Sequence, residues 1–128
     1  GGAVSAPSPL PPPPPGVFRV AATTTDGRGV ESPISPRFAR GAYIVVVDLA
    51  GGGIADVRVM ANPFAGFPHG AGVAFARWLV SSGVRAVLAP RLGPNAAMVL
   101  RETGVAVYSV APGARVIDAL RSLGLVRV

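Results

Sequence analysis

No cysteine occurs among the 128 residues, and lysine and glutamine are absent as well. Without thiolates the chain can build no disulfide scaffold, no zinc finger and no iron–sulfur centre held by cysteine. Histidine occurs once, at His69, which excludes a multi-histidine metal site within one chain. Acids are scarce: Asp26, Glu31, Asp48, Asp56, Glu102 and Asp118. A nuclease that holds two metal ions needs carboxylates gathered at one place, and these stand singly, two flanking a hairpin and two on helix surfaces. Ser32, Ser35 and Ser109 are nucleophiles only beside a base, and His69 has no evident carboxylate partner. The chain is therefore expected to bind rather than to catalyse.

Long apolar runs are also missing, despite a mean hydropathy of +0.51. The longest uncharged stretch after the first strand, between Arg58 and Arg77, is broken by Asn62, Pro63, Pro68, His69 and several glycines. A spanning helix needs about 20 predominantly apolar residues, so no membrane partner is expected and the domain reads as cytoplasmic. All 12 basic residues are arginine, giving a net charge of +6. Arginine is suited to bidentate capture of oxyanions. The arginines are scattered, without the dense basic stripe of a nucleic-acid binder, which argues against nucleic acid as a partner. The absence of glutamine, with asparagine only at Asn62 and Asn95, points towards thermostability.

Residues 1–16 hold half of the 14 prolines and no charge. Five consecutive prolines favour the polyproline II helix, which has no internal hydrogen bonds. The segment has neither the basic start nor the apolar run of a signal peptide. It reads as a disordered tail, the other reading being a ligand for a proline-binding module, and residues 17–128 read as a single domain. Residues 17–25 are rich in β-branched side chains and predict a strand. Residues 42–49 and 54–62 predict two more, joined through a glycine hairpin. Val73, Ala76, Leu79 and Val80 recur at helical spacing before Gly83. A short strand over 85–90, a helix over 93–103, a strand over 105–110 and a helix over 114–123 complete the order βββαβαβα. The fold class is thus α/β, with a mixed sheet that is antiparallel at first and parallel in its second half.

Four segments then stand in a fixed order: residues 32–49 (SPISPRFARGAYIVVVDL), Asn62-Pro63 with His69 to Gly72, Arg91 to Ala97 (RLGPNAA) and Gly104 to Tyr108 (GVAVY). Together they resemble the dinitrogenase iron–molybdenum cofactor biosynthesis family over about residues 18–124. The resemblance implies a ribonuclease H-like fold with a five-stranded mixed sheet and three helices. It further implies a small non-enzymatic carrier that transiently holds an iron–sulfur or molybdenum-containing cluster, or its precursor, between donor and acceptor proteins. Members often carry histidine before the phenylalanine of the first loop, where Arg37 stands in this chain.

The candidate site follows from the helix starts. Gly70, Ala71 and Gly72 open the first helix, where unpaired N–H groups and a partial positive charge meet small residues that let an anion approach. Gly93 and Asn95 open the second directly after a strand, with Arg91 just before, at the strand end where open α/β sheets place ligands. Two helix starts with Arg37, Arg40 and Arg91 would form an anion pocket. By the resemblance, His69 is the candidate metal ligand for a cluster held there. The alternative is a nucleotide or nucleic-acid module using the same arginines, although the glycines match neither a P-loop nor a dinucleotide fingerprint.

Overall fold

The computed structural model describes residues 5–127. Its elements are β1 (Phe18–Thr24), β2 (Tyr43–Ala50), β3 (Gly53–Ala61), α1 (Ala71–Ser81), β4 (Ala86–Ala89), α2 (Pro94–Glu102), β5 (Ala106–Ser109) and α3 (Val116–Ser122). Short 3-10 turns, Gly29–Glu31 and Pro63–Gly66, sit in the loops after β1 and β3. The α/β order expected from periodicity is the order observed.

The strands form one mixed sheet in the order β3-β2-β1-β4-β5. Strand β2 pairs antiparallel with both β1 and β3, whereas β1 pairs parallel with β4 and β4 with β5. Only β2 therefore runs against the rest, and the C-terminal ends of β1, β3, β4 and β5 share one edge. The β2–β3 hairpin turns through Gly51 and Gly52, at φ +60° and +79°. Two successive positive φ values match the right-handed strand twist and are strained for other residues, which is why glycines stand there.

Alternation along the strands divides two cores. Ala21, Ile44, Val46, Val87 and Ala89 pack with α1 and α2 on one face. Val20, Ala22, Val45, Val47, Leu49, Ala86 and Leu88 pack with α3 on the other. Strand β4 is buried along its whole length, as a central parallel strand covered on both faces should be.

The proline-rich segment departs from expectation. Residues 1–4 lie outside the described residues, but residues 5–16 are not a free tail. Leu10 packs against the core beneath α1, its N–H donates to Ser82 Oγ at 3.0 Å, and Pro11 O accepts from Arg19 Nη1 at 2.7 Å. The folded unit thus begins before residue 17. The segment shows no face at helical or strand spacing, yet a polyproline helix repeats every three residues, and that period brings Leu10 onto the domain.

Candidate functional site

Because β1, β3 and β4 point the same way, the loops that follow them meet beyond one edge of the sheet. Each supplies one wall of a single cavity of about 410 Å³. The loop after β1 brings Pro36, Arg37, Phe38, Ala39 and Arg40; the start of α1 brings Gly70, Ala71, Gly72 and Val73. Arg91, Gly93, Pro94, Asn95 and Ala96 come from the β4–α2 connection. The volume lies within the usual range for small-ligand sites, roughly 300–1,000 Å³.

Eight of the nine residues expected at the site are brought together: Arg37, Arg40, Gly70, Ala71, Gly72, Arg91, Gly93 and Asn95. His69 is not among the lining residues. It is exposed and precedes Gly70, the residue that caps α1, so the imidazole sits beside the cavity wall rather than in it.

Both helix starts are open. Neither Gly70 nor Gly93 caps its helix with a side chain, so the first N–H groups of α1 and α2 have neither an intrahelical nor a side-chain acceptor. Pro94 at the first position of α2 removes one of these donors and leaves those of Asn95 and Ala96. Gly70 holds φ +72° with open space where a Cβ would stand, so the turn into α1 requires glycine for its backbone, not for room. The two helices touch at Gly72 and Ala96, where a Cβ on Gly72 would come 3.5 Å from that of Ala96. Small residues at this crossing allow the two partial positive charges to face one space.

The arginines divide their labour. Arg37 and Arg91 are exposed, and no carboxylate lines the cavity. Arg40 is half-buried, and its Nη1 donates to Ala65 O at 3.0 Å and Phe67 O at 2.6 Å. It therefore ties the loop after β1 to the loop after β3. Asn62 ties the same loops from the opposite side. Its Nδ2 donates to Ala39 O at 2.9 Å and Gly41 O at 2.8 Å, and its Oδ1 accepts from Phe64 N at 3.0 Å. Thr23 Oγ1 donates to Phe38 O at 2.9 Å. Sequence reasoning marked Arg40 as an anion ligand and assigned Asn62 no task. The readable signal was Asn62 before Pro63, a residue type whose side chain bonds backbone two positions on.

The acids lie elsewhere. Asp48 pairs with Arg19, Asp26 with Arg28, Asp56 with Arg58, and Glu31 and Asp118 with Arg115. Among the described residues no three histidine, cysteine or acidic side chains gather to hold a metal ion, and no helix is long and apolar enough to cross a membrane.

Comparison with known proteins gives a consistent result. The sequence model of the dinitrogenase iron-molybdenum cofactor family matches residues 18–124. The fold resembles the apo form of the orange protein from Desulfovibrio gigas, with TM-score 0.72 and 32% identity over 82% of this chain and 85% of that one. It also resembles a putative NifB protein from Thermotoga, with TM-score 0.67 and 34% identity over 84% and 88% of the two chains. An uncharacterised protein of Methanocaldococcus jannaschii is 29% identical over 75 residues, 59% of this chain. The match spans 64% of that relative, just under two thirds of its length.

Proposed function

Since the chain belongs to the dinitrogenase iron–molybdenum cofactor family, we propose that it is a non-enzymatic carrier whose cavity holds an anionic metal–sulfur cluster, or a precursor of one, for handover between donor and acceptor proteins. The observation that carries this reading is the convergence of two uncapped helix N-termini with Arg37 and Arg91 on one cavity free of carboxylates. With no thiolate in the chain, the cargo is held as an anion, by N–H groups and guanidinium groups around its sulfide or oxo surface. Such a hold is readily reversible, which suits transfer. In this reading His69, exposed and one residue before Gly70, adds one metal–nitrogen bond to the cargo. A nucleotide is the weaker reading, because the only aromatic residue of the lining, Phe38, is 8% exposed and offers no face for a base to stack on.

Titration with tetrathiomolybdate tests the assignment through the visible absorption of the bound anion. Saturable binding should weaken in Arg91→Ala and Arg37→Ala, and its salt dependence should flatten, because long-range attraction is what ions screen. Against a cluster with an open metal position, His69→Ala should weaken binding with the salt slope unchanged, a metal–imidazole bond being short-range; tetrathiomolybdate, whose molybdenum already carries four sulfides, should bind that variant as it binds the parent. Absence of saturable binding, together with co-purified material absorbing at 260 nm, would favour the nucleotide reading instead.

A further inference from the structure

Proline carries no N–H and holds φ near −65°, so residues 11–15 favour a polyproline II helix whose carbonyls have no partner within the segment. Such a helix turns once in three residues and presents positions i, i+3 and i+6 on one side. Pro7, Leu10 and Pro13 are half-buried, whereas residues 8, 9, 11 and 12 are exposed. The segment thus lies along the domain with one face down.

The surface beneath it is equipped for that geometry. Trp78 Nε1 donates to Ser8 O at 3.0 Å, and Arg19 Nη1 donates to Pro11 O at 2.7 Å, one polyproline turn further on. Between 9 and 15 only Leu10 has a backbone N–H to offer, and Ser82 Oγ accepts it at 3.0 Å. Pro13 rests on Gly83, where an added Cβ would stand 2.6 Å from Pro13 Cδ. Alongside, a cavity of about 360 Å³ is lined by Pro7, Pro9, Ala74, Arg77 and Trp78. Trp78, Ser82 and Arg19 are all buried, at 4%, 0% and 1% exposure. Each would lose a partner if the segment left.

An aromatic N–H donor, spaced for carbonyls one turn apart beside a slot for an apolar side chain, is the chemistry by which proline-rich segments are read. We infer that the groove between the last turn of α1 and β1 is a polyproline-reading site, filled in this chain by residues 7–13 as a tethered ligand. When that ligand is displaced, the groove takes a proline-rich segment of another polypeptide. Tethering gives the chain's own segment an effective concentration on the order of millimolar, so the site is open to a second segment only where the first is weakened.

Trp78 is the sole tryptophan and reports occupancy. In the full chain carrying Leu10→Asp, its emission should shift to the red while the far-ultraviolet circular dichroism is retained. A synthetic peptide of residues 5–16 should reverse the shift saturably. The same peptide with Leu10→Asp should bind roughly tenfold more weakly, as loss of one half-buried leucine requires. No recovery, or equal binding of the two peptides, overturns the inference. Hydrogen exchange in the unaltered chain decides independently of how the variant folds. The Leu10 amide and Trp78 indole should exchange faster than the amides of β2, through release of the segment alone; protection equal to that of β2 would make the segment an integral part of the fold and overturn the site.

Discussion

Arg19 shows how much one side chain can be asked to hold. It stands opposite Asp48 in the β1–β2 register, donates to both carboxylate oxygens at 2.7 and 3.0 Å, and spends Nη1 on Pro11 O and Ser82 O. The strand alternation that buries Val20 and Ala22 gives no warning that an arginine between apolar neighbours is 1% exposed. Its burial is intelligible only once the antiparallel register sets a carboxylate across from it. A buried charge stripped of its partner is expensive, about 3–5 kcal/mol, whereas replacing both partners by apolar groups costs far less. Asp48→Ala should therefore lower stability by about that amount in urea denaturation. Arg19→Met combined with Asp48→Leu should be more stable than the single variant.

Among elements, those with strong periodicity were readable directly. Ala76 and Leu79 of α1 are buried as the helical spacing requires, and β3 pairs with β2 through the glycine turn. In β3 the period of two sends Val57 towards α3 and Met60, on the opposite face, towards α1 and α2. Val59 is 41% exposed because β3 lies at the sheet edge, where the helices no longer cover it. The loop after β1 has no such period and is organised by charge. Asp26 accepts from Ser32 Oγ at 2.6 Å and from Arg28 Nε at 3.1 Å. The Arg28 side chain, and after it the Ser32 hydroxyl, hold its carboxyl down from 3.8 to about 2. A carboxyl whose folded pKa is depressed contributes stability above its unfolded value and loses it as pH falls towards the folded one. The melting temperature of Asp26→Asn should therefore lie below that of the parent chain above pH 3.8, and the gap should close between there and pH 2.

At the scale of the whole molecule, the cavity exists because three strands that are distant in sequence end at one edge. Sequence reasoning found its parts, glycines at two helix starts and arginines in two loops, and gathered them into one pocket from the rule that open α/β sheets place ligands at their strand ends. It found them because uncapped starts and small residues carry a local signature. That the parts share one space depends on the strand order β3-β2-β1-β4-β5, which no local pattern encodes. His69 precedes Gly70 yet does not line the cavity, because adjacency along the chain does not set where a side chain points. The proline-rich segment was misjudged for a related reason: its period of three is invisible to a search for periods of two or 3.6.

The cross-ties between the loops have a kinetic consequence. Arg40 and Asn62 bind the wall after β1 to the wall after β3 through four hydrogen bonds to backbone carbonyls, so these two walls are held to each other. Uptake should then be a collision and not a rearrangement. In stopped-flow mixing with tetrathiomolybdate, the observed rate should rise linearly with anion concentration, without a plateau, and fall steeply with added salt as steering is screened. Arg40→Met, which cuts two of the ties, should introduce a concentration-independent ceiling. On the proposed carrier reading, a cargo between walls so tied leaves by dissociation, and the affinity of the acceptor, rather than a motion of these two loops, would decide when it goes.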